Sequence, residues 1–236
     1  MERRRATLVT VVPEPRAASG GGRIRQRNRA LILAAAERVF AEKGFDGATT
    51  VAIATAAGLP KANLHYYFAT KEVVYRAVID GIVRLWLSAF DHIAPGDDPA
   101  LALASYIRRK MRLSFEHPQA SRLFALEVIR GAPVIRDFLA GELKEWVEAR
   151  AAVVQAWVDQ GRMDPVEPAH LLFAIWAATQ TYADFDAQIA AVLGRERQTP
   201  ADREAATEQL VRLVLRGCGL KPPSCDGSPE GDLQNY

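Results

Sequence analysis

The sequence predicts an all-α protein with about nine helices. Apolar residues recur at three- and four-residue spacing along most of the chain, which is the period of an amphipathic helix. No run rich in Val, Ile and Thr alternates with polar residues between hairpin turns, so no sheet is expected. With 236 residues, the chain is long enough to bury a core without disulfide bonds.

The first three predicted helices form an N-terminal group. The first spans residues 26–43 and ends at Gly44, because glycine is the common C-terminal cap of a helix. Two short helices over residues 51–57 and 61–67 follow. Gly58 lies between them, where glycine permits the left-handed backbone of a tight turn. This arrangement predicts a helix-turn-helix.

Six further helices are predicted in the remainder of the chain. Asp98 and Thr199 are suited to be N-caps, and each precedes a proline that fits the first turn of a helix. The predicted helices span residues 71–93, 99–116 and 118–130, a segment that reaches Gln160 with an interruption near Gly141, residues 169–184, and a last helix that begins at Thr199.

Composition and spacing divide the chain into four segments. Residues 1–22 mix arginines, prolines and a Ser-Gly-Gly-Gly run without periodicity, which predicts a flexible basic arm. Residues 23–70 hold the helix-turn-helix unit, and residues 71–217 hold a larger helical unit. Residues 218–236 are rich in Gly and Pro and are expected to be a flexible tail.

Charge is unevenly distributed along the chain. The net charge is +2, but residues 1–80 hold 13 basic and 7 acidic residues, whereas residues 81–236 hold 17 basic and 21 acidic residues. A basic unit joined to an acidic remainder is typical of a nucleic-acid-binding unit attached to a second unit. A chance distribution of surface charge is the alternative explanation.

Cysteine usage and hydropathy indicate the compartment. Cys218 and Cys225 are the only two cysteines, which excludes a disulfide scaffold and suits a reducing environment. The apolar run that stops at Pro13 is too short for a signal-peptide core, and no uncharged apolar stretch of about 18 residues appears. We therefore expect a cytoplasmic protein that does not bind a membrane.

The N-terminal unit resembles the tetracycline-repressor (TetR) family. Residues 40–45 read FAEKGF, residues 48–58 read ATTVAIATAAG, residues 63–68 read NLHYYF, and residues 71–72 read KE. The resemblance covers about residues 26–80 and is specific, because several spaced motifs match in order. It implies a helix-turn-helix that binds operator DNA, followed by a regulatory domain for ligand binding and dimerisation.

Side-chain chemistry and the resemblance together indicate DNA-contacting residues. Hydroxyls at the start of the first short helix, and basic, amide and phenol groups on the second, can donate hydrogen bonds to phosphates or base edges. Each of them also has an ordinary explanation, as a helix cap or a solvated side chain. The candidates are Thr49, Thr50, Lys61, Asn63, His65, Tyr66 and Lys71.

Two basic features flank the short helices. Lys71 begins a helix, where a cation opposes the helix dipole, so a phosphate partner explains it better than helix stability does. An arginine-rich segment fits either a minor-groove contact or a solubilising role, and it contains Arg23, Arg25, Arg27 and Arg29.

Strong DNA binding requires a homodimer, because one recognition helix reads only a few base pairs of a palindromic operator. The TetR resemblance implies that the last two helices form the interface as a four-helix bundle. An apolar stripe of Ala206, Leu210, Leu213 and Val214 on the last helix fits this role. The same stripe would equally fit the core of a single chain.

The C-terminal unit resembles one subgroup of the family, the regulators of pyrimidine utilisation. The matching residues are 118–124, 131–133 and 175–185. The resemblance implies a repressor that uracil or thymine releases from DNA, with Trp86 and Gln180 in the ligand site beside Trp176. An activator fits the same motifs. A regulator of an efflux or catabolic operon that responds to a bulky apolar ligand is the alternative.

The residues themselves also favour a planar polar ligand. Residues 171–178 are apolar nearly all round, which predicts a buried helix, yet polar residues follow directly. Trp176, Gln180 and Asp184 recur every four residues and share one face. An amide can pair with one edge of a pyrimidine while tryptophan stacks on it. The alternatives are a core role for Trp86, a neighbouring backbone group or the dimer mate as the partner of Gln180, and a solvated helix end at Asp184.

A di-iron enzyme is the main competing function for an all-helical chain. It would need two Glu-x-x-His motifs and two further inward-facing glutamates. Only residues 167–170 match, at a helix start framed by prolines. Sequence motifs of phosphate loops, nucleophile elbows and zinc proteases are missing from the chain. We therefore expect a DNA-binding regulator without a catalytic site, metal or cofactor.

Overall fold

A computed structural model describes residues 20–222, and this part of the chain folds into ten helices without a strand. The all-α prediction is confirmed, and the helix count is close to the expected nine. No helix within the described range has the length and apolar composition needed to cross a membrane. The helices are α1 (Gly20–Gly47), α2 (Thr50–Ala56), α3 (Lys61–Tyr67), α4 (Lys71–Leu87), α5 (Pro99–Glu116), α6 (Pro118–Ile129), α7 (consecutive segments Arg136–Phe138, Leu139–Leu143 and Lys144–Asp159), α8 (Pro168–Asp184), α9 (Asp186–Val192) and α10 (Pro200–Gly217).

Helix α1 is longer than predicted, because it begins at Gly20 rather than at residue 26. Arginine is a strong helix former, which accounts for the helical backbone at Arg23 and Arg25, whereas propensity does not explain the three glycines that begin the helix. The helical backbone breaks at Gly44, whose φ of 67° lies in the left-handed region, as the sequence predicts. Residues 1–19 of the predicted arm and residues 223–236 of the predicted tail lie outside the described residues.

The two predicted N-caps are present. Asp98 accepts a hydrogen bond from the Leu101 backbone N–H at 2.9 Å at the start of α5. Thr199 and Asp202 form a reciprocal capping box at the start of α10. These caps satisfy N–H groups that have no partner inside a helix, and they therefore fix where each helix begins.

Three local differences separate the structure from the predicted elements. The α-helical part of α4 ends at Leu87, where the Ser88 hydroxyl donates to the Leu85 carbonyl at 2.8 Å and a 3-10 turn follows. The interruption expected near Gly141 is a π-helical segment inside α7. Helix α9 was not predicted, because it has only seven residues and, unlike the equally short α2 and α3, it does not flank a turn glycine within a matching motif.

Two apolar clusters form the core, and the first of them crosses the predicted domain boundary at residue 70. It joins α1, α2 and α3 to α4 and α6. The second joins α5, α7, α8 and α10 around the buried side chain of Trp157. Helix α10 contributes Leu210 to this second cluster, whereas Leu213 is 64% exposed. The predicted stripe on the last helix is therefore split between the core and the surface.

A buried carboxylate ties α6 to α4 within the first cluster. The Glu127 side chain is 3% exposed and accepts a hydrogen bond from the Tyr75 hydroxyl at 3.0 Å and one from the Val134 backbone N–H at 2.7 Å. Burial and then the neighbouring carboxylate raise the pKa of Tyr75, so its hydroxyl stays a donor. The Tyr75 ring also packs edge-on against Phe40 and Phe45 of the α1 segment.

We expect Tyr75→Phe to lower the free energy of unfolding by about 1–3 kcal/mol, because it leaves a buried carboxylate oxygen without its donor. Urea denaturation followed by circular dichroism measures this change. Tyr66→Phe is the matched control, because the Tyr66 side chain is 69% exposed and makes no hydrogen bond to a described residue. Equal stability of the two variants would contradict the structural role of this hydrogen bond.

Candidate functional site

The predicted helix-turn-helix is present in the structure. Helices α2 and α3 pack onto α1 through the buried side chains of Ile53, Ala54 and Leu64. Gly58 has a φ of 67° in the connection, which is the left-handed conformation predicted from the sequence. Leu64 and the half-buried Tyr67 hold the inner face of α3 against the core, so the opposite face of this helix is directed outward.

The outward face of α3 carries polar side chains that have no other partner in the described part of the chain. Lys61 and His65 are exposed and Asn63 is half-buried, and none of these three side chains makes a hydrogen bond to a described residue. Tyr66 beside them is 69% exposed. An exposed helix with unsatisfied donors and acceptors is the arrangement that major-groove recognition requires.

The two threonines lie at the start of α2. Thr49 is exposed, and its hydroxyl oxygen caps the helix by accepting from the Ala52 backbone N–H at 3.1 Å. The proton of this hydroxyl is not used by the cap, so it can still be donated to a phosphate. Thr50 is half-buried as the first residue of α2. Phosphate contacts by these residues stay predictions.

Lys71 has an intramolecular role that the sequence did not indicate. Its ammonium donates to the Phe45 carbonyl at 2.8 Å and to the Ala48 carbonyl at 3.1 Å, and it lies 4.4 Å from the centroid of the Phe45 ring. These contacts account for a cation at a helix start without a phosphate. The lysine therefore fastens α4 to the connection between α1 and α2, and its phosphate contact stays a prediction.

The arginine-rich segment lies beside α3. The Arg25 guanidinium is 5.8 Å from the centroid of the Tyr66 ring, and the Arg29 guanidinium is 5.6 Å from that of Phe68. Because these arginines are on the rigid helix α1, they are held next to the outward face of α3. They extend its positive charge, which favours a polyanionic partner.

A small cavity lies in the larger helical unit, where α4, α5, α6, α7 and α8 meet. Its volume is about 40 Å³, which is room for about one water molecule. Three of the four residues predicted as ligand-binding are brought together there, namely Trp86, Trp176 and Gln180. The complete lining is Val83, Trp86, Leu87, Tyr106, Lys110, Phe124, Leu143, Trp176 and Gln180.

The polar groups of the cavity are only partly satisfied. The Trp176 indole donates to the Tyr106 hydroxyl oxygen at 2.6 Å. The amide of Gln180 makes no hydrogen bond to a described residue. The same holds for the ammonium of Lys110, which is 4% exposed and lies 4.7 Å from the centroid of the Trp86 ring. A lysine ammonium and a half-buried amide that lack protein partners beside aromatic side chains are available to a ligand.

Asp184 does not line the cavity. Its carboxylate accepts a hydrogen bond from the Ser121 hydroxyl at 2.6 Å, one helical turn beyond Gln180. Burial raises the pKa of Asp184, while Ser121 and the nearby cations lower it. Burial lowers the pKa of Lys110 to about 8, and Asp184 opposes this shift. Asp184 thus balances the charge of Lys110 from outside the cavity.

Sequence reasoning missed Lys110, Tyr106 and Phe124 as residues of the site. A detectable signal existed for the lysine, because Tyr106 and Lys110 follow Leu103 at helical spacing on the apolar face of α5. A charged residue on such a face is either paired or functional. Phe124 carried no such signal, since an aromatic residue on an apolar face is ordinary.

Two protein families match the chain. Residues 32–78 match the family described as "Bacterial regulatory proteins, tetR family", and residues 79–221 match "YcdC-like protein, C-terminal region". The chain belongs to the TetR family and is a transcriptional regulator. Within the described part of the chain, no cluster of side chains could hold a metal ion.

Among individual proteins, the HTH-type transcriptional regulator RutR of Escherichia coli (strain K12) is 40% identical over 186 residues, or 79% of this chain and 88% of the relative. A solved tetR-family protein from Rhodococcus RHA1 has a TM-score of 0.67 at 20% identity and covers 83% of this chain and 98% of its own. AibR, solved with isovaleryl coenzyme A and operator DNA, has a TM-score of 0.60 at 19% identity, covering 84% and 100%. The two structures support the fold, and all three relatives are regulators rather than enzymes.

We expect Lys110→Met to raise the free energy of unfolding by about 1–3 kcal/mol at pH 7. The unfolded state holds the Lys110 proton more tightly than the folded state, so the buried ammonium costs stability below pH 8 and this cost disappears as the pH rises above the unfolded pKa. Denaturant titrations of the wild type and the variant at pH 7 and pH 10 measure the difference in their free energies of unfolding. Lys144→Met, at an exposed lysine of α7, is the control and is expected to change little. A lower free energy of unfolding for Lys110→Met than for the wild type at pH 7 would contradict the expected cost of burying the ammonium.

Proposed function

We propose that the protein is a homodimeric repressor that binds a palindromic operator through α2 and α3 and leaves it when uracil or thymine enters the cavity. Its targets are genes of pyrimidine and nitrogen metabolism, and it acts in the cytoplasm on chromosomal DNA. The cavity carries this proposal, because it combines the ring surfaces of Trp86 and Trp176 with the unpaired amide of Gln180.

The DNA-binding half of the proposal rests on the outward face of α3 and its surroundings. Lys61, Asn63 and His65 read base edges or bind phosphates, and Tyr66 places its hydroxyl on the backbone. Thr49 and Thr50 donate to phosphates at the start of α2, and one remaining N–H of Lys71 reaches the same strand. Arg25 and Arg29 add charge that is independent of DNA sequence.

The homodimer is proposed to form through α8 and α10. Exposed apolar side chains on these helices support this surface: Phe173 is 47% exposed on α8 and Leu213 is 64% exposed on α10. Both helices pack on α5, and large exposed apolar side chains are typical of an interface with a second protein. A two-fold axis at this surface would place the two α3 helices on successive half-sites.

A pyrimidine base matches the polar inventory of the cavity. Uracil and thymine present carbonyl oxygens and N–H groups along their edges. The Gln180 amide can pair with a neighbouring N–H and carbonyl of the base in two hydrogen bonds, while the indole rings of Trp86 and Trp176 contact its faces. A bulky apolar ligand is less well supported, because it would cover the Gln180 amide and the Lys110 ammonium without offering either a hydrogen-bond partner.

Release of DNA follows from the small size of the cavity. A pyrimidine base is several times larger than a water molecule, so its entry must move the walls apart. Trp86 places one wall on α4, whose first residue, Lys71, is fastened to the Phe45 and Ala48 carbonyls. A shift of α4 therefore moves the helix-turn-helix and changes the distance between the two α3 helices.

The DNA contacts can be tested with fragments from the region upstream of the gene itself. Lys61→Met is expected to weaken binding across sequences and to reduce the slope of log affinity against log salt by about one per protomer. Asn63→Ala is expected to cost about 1–3 kcal/mol on the specific site and less on unrelated DNA. Fluorescence anisotropy measures both effects. Lys144→Met is the control lysine, and an unchanged salt slope in Lys61→Met would refute the phosphate assignment.

The effector can be tested by calorimetry with uracil and thymine. We expect the wild type to bind both bases and Gln180→Ala to bind them at least about tenfold more weakly, because two hydrogen bonds are lost. Addition of either base is expected to release the wild-type protein from its DNA fragment. Gln155→Ala, at an exposed glutamine of α7, is the control. Absence of binding at millimolar base, or full binding by Gln180→Ala, would remove the pyrimidine proposal and leave the DNA-binding proposal intact.

A further inference from the structure

We infer that Lys110 selects the effector, so that the pocket accepts pyrimidines with a keto oxygen at the position facing this side chain and rejects cytosine, which has an amino group there. This inference rests on the proposed pyrimidine site and assigns its specificity to one residue. It depends on which polar groups of the cavity can both donate and accept hydrogen bonds and which can only donate.

The ammonium of Lys110 is the only charged group of the described cavity lining, and like the indole N–H groups of Trp86 and Trp176 it can only donate hydrogen bonds. A lysine side chain has three N–H donors and no acceptor. In this structure the ammonium is 4% exposed, lies over the Trp86 ring and has no acceptor among the described residues. A ligand oxygen placed against it therefore gains a charge-assisted hydrogen bond that is stronger than a neutral one.

Gln180 cannot make the same distinction. Its side-chain amide carries a carbonyl oxygen and an NH₂ group, and a rotation of the amide exchanges them. No described residue fixes the orientation of this amide by a hydrogen bond. Gln180 can therefore pair with the keto edge of uracil in one orientation and with the amino edge of cytosine in the other.

Tyr106 is also unable to discriminate by itself. Its hydroxyl accepts from the Trp176 indole at 2.6 Å and has a proton left to donate. Burial raises the pKa of Tyr106, so this hydroxyl remains protonated. A hydroxyl oxygen has a second lone pair, however, and can also accept a hydrogen bond from an amino group.

The surroundings keep Lys110 charged at neutral pH. Asp184 on α8 attracts the ammonium and is held in place by Ser121 on α6, while α4 presents the uncharged Trp86 ring. Because Asp184 does not line the cavity, its carboxylate is not available to accept from the amino group of a ligand. An amino group against Lys110 would leave donors facing donors in a site lined mostly by apolar and aromatic side chains. A site of this kind binds uracil more tightly than cytosine by about 100-fold or more.

Calorimetry at pH 7 with uracil and cytosine tests this inference on the full-length dimer. We expect the wild type to favour uracil by about 100-fold, and Lys110→Met to bind uracil at least about tenfold more weakly with a ratio of uracil to cytosine affinity near one. Lys110→Gln is expected to recover part of the uracil affinity without the selectivity, because an amide can turn to either base. Lys144→Met is the matched control and should keep the wild-type ratio.

The affinity ratio is taken within each variant, so a partly unfolded fraction cancels from it. Retention of the wild-type ratio in Lys110→Met and Lys110→Gln would overturn the role of Lys110 and leave the pyrimidine site standing. Equal binding of uracil and cytosine by the wild type would also overturn it. Failure of the wild type to bind either base would remove the pyrimidine site itself, and the selectivity assigned to Lys110 with it.

Discussion

The packing of α4 with α1 and α6 in one apolar cluster constrains how the two functional regions can move. The first turn of α4 is held to the α1–α2 connection by Lys71, and the last turn of α4 carries Trp86 in the cavity wall. Between these ends, Tyr75 donates to the buried Glu127 of α6. Side chains in a close-packed core have few alternative positions, so α4 responds as a rigid lever rather than by local bending.

The fold and the DNA-binding surface could be predicted largely from local signals. Gly44 and Gly58 occupy left-handed positions, Asp98 and Thr199 cap helices, and Leu64 is buried. Each of these outcomes depends on a few neighbouring residues, which a sequence pattern records. The start of α1 and the end of α4 were less predictable, because helix termini depend on small differences in free energy.

The interior of the candidate ligand site was only partly predictable, because it depends on contacts between distant segments. The resemblance implied Trp86, Trp176 and Gln180 as ligand-site residues, and the helical face that Trp176 and Gln180 share independently favoured these two. Lys110 belongs to a different helix, and its importance lies in its missing partner, which no local pattern reveals. Asp184 shares the face of Gln180 but is turned to Ser121, since hydrogen bonding to α6 determines its direction.

The small volume of the cavity has a consequence for the speed of the response. Under the proposed function, a base needs more room than the cavity offers, so its association waits for a wider conformation that thermal motion populates only part of the time. The observed association rate then reaches a ceiling set by the opening rate rather than by diffusion. A regulator built in this way ignores brief fluctuations in effector concentration and responds to sustained ones.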